Sequence, residues 1–285
     1  MNGITYSPQD LQDKSRLPIG VFDSGVGGLT IVKEIMDFLP QESVIYLGDT
    51  ARVPYGTKSQ PTVLKFTTQA IEFFNTRGIK MLLIACNTSS SLALPYLKDG
   101  FDFPVYGVID PGVSEALNVT RIGRIGVIGT RATISSRIYE MRLKQQREEV
   151  EVFSYPCPLF VPLIEEGWID DPVTYKVAKR YLDNFKRHGI DTLILGCTHY
   201  PLIKNVIRQV IGKHVALVDS ARTLVREIKN KLKILNLENR GGSLRYEFYV
   251  SDEPEQFKKL GSFFLGREIK SVKRVELEEY KGCMK

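Results

Sequence analysis

The chain has 285 residues, of which 43% are hydrophobic and 25% charged, a composition that suits a globular protein of one large domain or two smaller ones. Its formal charge of +6 is mild, and the excess bases scatter over residues 58–80, 137–147 and 229–233 without forming an aromatic-interleaved motif, so a solvated surface is expected and no nucleic-acid partner is required. No apolar run reaches the roughly 18 residues of a membrane span, the polar first sixteen residues do not resemble a secretory leader, and cysteines at 86, 157, 197 and 283 lack zinc or disulfide spacing, so the expectation is no membrane, no metal and a reducing, cytoplasmic setting.

Apolar runs alternate with amphipathic stretches, the pattern of parallel strands with helical crossovers. The first strand is expected at Ile19–Phe22 and runs into the turn Asp23-Ser24-Gly25-Val26-Gly27-Gly28. A dinucleotide fingerprint would need a third glycine at position 30, where Thr30 stands, and an acid ahead of the glycines would repel a pyrophosphate. No P-loop sequence occurs. The turn therefore reads as one that brings the next helix close while Asp23 and Ser24 face a ligand. A second strand, Val44–Leu47, leads into a loop, Gly48 to Gly56, rich in side chains that bind polar ligands. Ser59-Gln60-Pro61 opens a helix. The third strand, Met81–Ala85, ends at Cys86-Asn87-Thr88.

Strands at Val105–Ile109, Ile125–Ile128 and Val150–Tyr155 come next. The segment from Pro158 to Ile164 closes on Glu165-Glu166, and Asp171-Pro172 opens another helix. Leu193–Leu195 ends at Gly196-Cys197-Thr198-His199, and strands at Val215–Val218 and Tyr246–Val250 complete the series. His188 and His214 read as surface residues at helix ends. Cys157, between two prolines, and Cys283, in a charged tail, read as non-catalytic.

The chain also repeats itself. Ile19-Gly20-Val21-Phe22-Asp23-Ser24 matches Ile125-Gly126-Val127-Ile128-Gly129-Thr130, and Leu82 to Thr88 matches Leu193 to His199, with Cys86 opposite Cys197. The expectation is an α/β fold of two pseudo-symmetric parallel-sheet domains, with the active site in the cleft between them. Residues 17–109 and 216–285 would form a discontinuous first domain, residues 110–215 the second, and residues 1–16 an N-terminal extension. Ligands of open parallel sheets bind beyond the carboxyl ends of the strands. Asp23, Ser24, Asp49, Cys86, Asn87, Thr88, Asp110, Thr130, Cys157, Cys197, Thr198, His199, Asp219 and Ser220 all follow a strand and would converge there.

A free cysteine is commonly an inert core residue, but two in matching places point to a symmetric site. Each would stand at a helix N-terminus, where the dipole favours a thiolate. Asn87, Thr88, Thr198 and free backbone N–H groups could seat a carboxylate. Thiols on either side of one carbon could take a proton from one face and return it to the other. The Cys197-His199 pair equally suits a nucleophilic acyl-transfer hydrolase, which would tolerate loss of Cys86, and a non-catalytic α/β binding module is a third class.

Taken in order, Phe22 to Leu29, Pro54-Tyr55-Gly56, Ala85-Cys86-Asn87-Thr88, Pro162-Leu163-Ile164-Glu165 and Gly196-Cys197-Thr198-His199-Tyr200-Pro201 resemble the glutamate racemase family over about residues 18–265. That resemblance implies a racemase without cofactor that supplies D-glutamate for bacterial peptidoglycan. Cys86 and Cys197 would flank the amino acid. Asp23 would assist near Cys86, and His199 and Glu165 near Cys197; Glu165 is preferred to Glu166 because it directly follows the Pro-Leu-aliphatic segment. Asp23, Ser24, Tyr55, Gly56, Asn87, Thr88, Thr198 and His199 would line the substrate site, together with Thr130 from the strand-end set. The implied partner is L- or D-glutamate alone. A homodimer is compatible with all of this, and the sequence sets no oligomeric state.

Overall fold

The computed structural model describes residues 14–97, 101–241 and 243–280; residues 1–13 of the N-terminal extension and Cys283 lie outside them. The chain enters at β1 (Ile19–Asp23) and continues through α1 (Leu29–Phe38), β2 (Val44–Gly48), α2 (Gln60–Asn75), β3 (Met81–Ile84), α3 (Asn87–Leu92), β4 (Val105–Gly107) and α4 (Ile109–Val119). Next come β5 (Arg124–Gly129), α5 (Arg131–Ser135), α6 (Ile138–Gln146), β6 (Glu151–Pro156), α7 (Phe160–Glu165), α8 (Pro172–His188), β7 (Thr192–Gly196), α9 (Lys204–Ile211), β8 (Ala216–Val218) and α10 (Ser220–Ile234). β9 (Tyr246–Val250), α11 (Pro254–Leu265) and the two-residue β10 (Lys273–Arg274) follow.

Every strand pairing among the described residues is parallel. The strands form two sheets, ordered β10-β9-β2-β1-β3-β4 and β6-β5-β7-β8. Parallel sheets covered on both faces bury their central strands entirely, and β1, β2 and β7 are buried at every residue. The helices present apolar stripes to them. In α2 the buried Val63, Thr67, Ala70, Ile71 and Phe74 recur at helical spacing. In α8 Asp171 caps the first turn by accepting the Val173 N–H, and Gly189 at φ +57° ends the helix. Ser59 does not cap α2 with its side chain; its hydroxyl meets Thr62 Oγ1 instead, at 2.9 Å.

The sequence repeat is a topological repeat. In each sheet the first strand in sequence lies between the second and third, and the fourth lies outside the third. The correspondence reaches side chains. A Cβ on Gly20 would collide with Phe74 and Ile79, and one on Gly126 with Phe185 and Ile190; the Phe and Ile partners are separated by the same offset as Cys86 and Cys197, and the glycines by one five residues shorter. The glycine in each first strand lets the helix that precedes the third strand press onto the sheet.

Two expectations about boundaries need correction. Residue 216 does not return the chain to the first sheet, because Ala216–Val218 pairs with β7 as the fourth strand of the second repeat, the counterpart of Val105–Gly107. The return comes after α10, which packs against both α1 and α4; β9 then adds beside β2. The strand expected to reach Ile109 stops at Gly107, since Pro111 suits the first turn of a helix. That puts Asp110 on α4, exposed and 3.5 Å from Arg142. Asp219 is likewise taken up by capping α10, accepting the Ala221 N–H.

Candidate active site

Cys86 follows β3 in extended geometry and caps α3 with its backbone, its carbonyl accepting the Ser90 N–H at 2.8 Å. Its side chain is buried, and the thiol points at Ser24 Oγ, 3.5 Å away. The helix terminus does not make this sulfur acidic. Burial, with the nearby Asp23 charge, pushes the thiol up to about 11, and contacts with Ser24 and Ser89 offset that only in part.

Asp23 ends β1 with no exposure. Its Oδ2 accepts the Gly25 N–H at 3.1 Å, and Thr198 Oγ1 lies 3.5 Å from its Oδ1. Burial raises its pKa, opposed by the His199 charge and the N–H groups of Gly25, Gly28 and Ser24. A Cβ at Gly28 would come within 2.6 Å of Asp23 Cβ, so the glycine-rich turn is what lets α1 start directly over this carboxyl.

Cys197 follows β7, also buried. It does not head an α-helix: Pro201 has no N–H to give, and the chain closes a 3-10 turn over Tyr200–Ile203 before α9 begins. The sulfur lies 3.8 Å from His199 Nδ1, and His199 Nε2 lies 3.0 Å from Glu165 Oε1. Glu165 is the last residue of α7, whereas Glu166 is its C-cap. Burial pulls the His199 pKa down, but the hydrogen bonds to Cys197 and Glu165 and their charges outweigh it and hold the ring up to about 10. His199 is therefore an imidazolium at neutral pH, set between the Cys197 sulfur and the Glu165 carboxylate. Phe264 of α11 closes edge-on over the imidazole at 5.5 Å.

Contacts between the two sets of strand-end turns bring the sulfurs' surroundings together. Thr88 Oγ1 lies 3.0 Å from Thr130 Oγ1 and 3.3 Å from Thr133 Oγ1. Tyr139 donates its hydroxyl to Asn87 Oδ1 at 2.7 Å. Two glycines make the approach possible: a Cβ at Gly27 would lie 2.2 Å from Thr198 Oγ1, and one at Gly56 would lie 2.5 Å from Thr130 Cβ. Tyr55 is buried with its hydroxyl given to Asp49, whose carboxylate also accepts from Arg52 Nε at 2.7 Å and Ser251 Oγ at 2.8 Å. Asp49 thus anchors the loop that carries Tyr55 and Gly56.

Among the expected residues, Asp23 and Ser24 neighbour Cys86 and His199 neighbours Cys197, with Glu165 behind it; Thr198 reaches Asp23, Thr88 meets Thr130, and Asn87 follows Cys86 in the chain. Cys157 is buried as well, its carbonyl accepting the Tyr200 hydroxyl. His188 is not simply a surface residue; it stacks on Phe153 at 4.1 Å and bonds the Tyr155 hydroxyl at 2.8 Å. Thr133 and Tyr139 carry no strand-end signal, since both lie on helices. No group of three or more potential metal ligands occurs among the described residues, and no helix there is long and apolar enough to cross a membrane.

The family model for Asp/Glu/hydantoin racemase matches residues 29–228. Among curated proteins, the glutamate racemase of Geobacter metallireducens is 50% identical over 266 residues, covering 92% of this chain and 98% of its own. Among solved structures, glutamate racemase from Francisella tularensis in complex with D-glutamate superposes with a TM-score of 0.88 at 42% identity, covering 93% of this chain and 100% of that one. Glutamate racemase from Thermus thermophilus in complex with β-chloro-D-alanine gives 0.85 at 42% identity, covering 93% and 99%. An allantoin racemase from Klebsiella pneumoniae, 16% identical with a TM-score of 0.52, shares the fold alone.

Proposed function

The chain belongs to the Asp/Glu/hydantoin racemase family, and from that premise we propose that it interconverts L- and D-glutamate with two cysteines as its acid and base. The observation that carries the reading is the unequal setting of two matched sulfurs. Cys197 sits beside an imidazolium held by Glu165, while Cys86 is buried beside Asp23 and keeps its proton. Two sulfurs in matched places, each with its own polar partners, supply the base and the acid that a proton exchange needs.

With L-glutamate bound in the cleft between the two sheets, Cys197 takes the α-proton and Cys86 delivers one to the opposite face. The reverse reaction exchanges the roles. Asp23 assists at Cys86; His199 and Glu165 assist at Cys197. Ser24, Tyr55, Gly56, Asn87, Thr88, Thr130 and Thr198 line the substrate. The α-proton is far less acidic than a thiol, so donors at the α-carboxylate and exclusion of water must stabilise the developing carbanion. No cofactor takes part.

Asn87, Thr88 and Thr198 supply donors in a dry setting, and Tyr55 contributes its ring and backbone, because its hydroxyl serves Asp49. In this reading the two sheets belong to two domains that clamp the substrate, the first comprising β1–β4 with β9 and β10, the second β5–β8. The product serves peptidoglycan synthesis in the cytoplasm.

The Cys197–His199–Glu165 chain also has the order of a hydrolase's nucleophile, base and orienting acid. The Cys86 turn, matched to it in sequence and topology, favours racemisation. Loss of optical rotation from pure L-glutamate, with no cofactor added, tests the reading. A stable rotation over long incubation contradicts it.

A further inference from the structure

Tyr139 is left without a task by the chemistry above. It projects from α6, is 2% exposed, and gives its hydroxyl to Asn87 Oδ1 at 2.7 Å. Asn87 is the residue after Cys86. The other edge of the same ring borders the second thiol turn, since a Cβ on Gly196 would lie 3.2 Å from Tyr139 Cε2. One buried side chain therefore reaches the neighbours of both cysteines.

We propose that Tyr139 is a positioning residue that fixes the Asn87 amide with its NH2 group turned to the substrate's carboxylate. The proposal rests on the racemase reading of this site. An asparagine can show a ligand either an acceptor oxygen or a donor NH2 group, and only the donor suits a carboxylate. A buried phenol needs an acceptor for its proton. Here that acceptor is Asn87 Oδ1, so the free end of the amide is the NH2 group. The reversed amide would set oxygen against carboxylate oxygen, a buried pair with no proton between them. The phenol can hold this role throughout, because burial raises its pKa far above neutrality, with the Cys197 charge adding to the shift and contact with Ser220 opposing it. Asn87 is itself 5% exposed, so bulk water does not compete for the amide.

A double-mutant cycle tests this with Tyr139→Phe, Asn87→Ala and the double variant, each first checked for wild-type thermal unfolding. Tyr139→Phe removes one oxygen and keeps the ring. It should lower kcat/KM for L-glutamate about tenfold, the worth of one charge-assisted hydrogen bond. The change should raise KM, because the amide meets the carboxylate in the ground state, and lower kcat as well, because the carboxylate takes up charge as the α-proton leaves. D-glutamate binding by calorimetry should weaken in step with KM, which keeps the cycle readable where turnover is low. In the Asn87→Ala background the Tyr139→Phe change should cost less than about twofold, since no amide is left to orient. An equal loss in both backgrounds, or a wild-type KM for Tyr139→Phe, overturns the proposal while leaving the racemase reading intact. A wild-type protein unable to racemise glutamate overturns both.

Discussion

Thr198 Oγ1 stands 3.5 Å from Asp23 Oδ1, so the carboxyl that ends the first strand of one sheet touches the residue next to the cysteine that follows the third strand of the other. Asp23 is also the charge that helps hold Cys86 protonated. The two halves of the site share one buried carboxyl.

The setting of Asp23 predicts a split between activity and stability. Burial raises its pKa in the folded protein, so folding favours the neutral acid. Its contribution to stability is present at low pH and is lost as pH rises through the folded value. Asp23→Asn keeps an oxygen for the Gly25 N–H but never ionises. Its Tm should equal or exceed that of the wild type at neutral pH, and the difference should shrink toward acid. Racemisation should fall by about 100-fold or more, the usual worth of an acid–base group. Thermal unfolding across pH, paired with polarimetry, checks both halves.

His199 follows the same linkage sign in a higher pH window. Its pKa is raised to about 10 in the fold, against about 6.5 unfolded. The stability it contributes is therefore complete below about 6.5 and disappears as pH climbs to about 10. Wild type should exceed His199→Gln in Tm at low and neutral pH, with the gap closing toward pH 10. The kcat/KM for L-glutamate should fall over the same upper limb, where the imidazolium loses its proton. A gap in Tm that widens with pH would contradict the assignment.

Glu165 and Glu166 separate by geometry. Only Glu165 reaches His199 Nε2, at 3.0 Å. Glu165→Gln should move the upper limb of the pH profile down and lower kcat about tenfold or more. Glu166→Gln should behave as wild type. Full pH–rate profiles of both variants decide this.

Gly27 is a fit constraint. A methyl group there would meet Thr198 Oγ1 at 2.2 Å and His199 Nδ1 at 2.6 Å. Gly27→Ala should wedge the Cys197 turn away from the first sheet. A misplacement of about 1 Å can cost about 100-fold in rate, while overpacking costs about 1–3 kcal/mol in stability. The variant should stay folded with its kcat reduced by that order. Gly189→Ala, at a helix end with nothing within 4 Å but a left-handed φ of +57°, should lower Tm and keep wild-type kcat.

Much of this was legible in the residues. Cys86 and Cys197 stand out because each ends an apolar run of the same shape, and the structure places both after the third strand of a repeat. Tyr139 was not legible. Its helix, Ile138–Gln146, is rich in charge and reads as a solvated element, and its partner Asn87 lies in the other sheet's set of turns. The domain boundary at 216 misled because Val215–Val218 followed by Asp219-Ser220 looks like any other strand end; only the pairing with β7 assigns it. The helix expected at Cys197 failed on Pro201, which turns the chain before α9. β10 is two residues long and leaves no periodic trace.

The central claim is that each sulfur serves one face of the carbon, and elimination isolates the first proton transfer. A β-chloro analogue of glutamate loses chloride once its α-proton is removed, so it needs a base and no returning acid. Cys86→Ser and Cys197→Ser should each lose racemisation in both directions. Toward the analogue they should differ: Cys86→Ser should retain elimination from the L form, and Cys197→Ser from the D form. Chloride release measured for both variants with both enantiomers gives the answer. Identical behaviour toward the two enantiomers would contradict one thiol per face, and full racemisation by either variant would contradict the two-thiol mechanism itself.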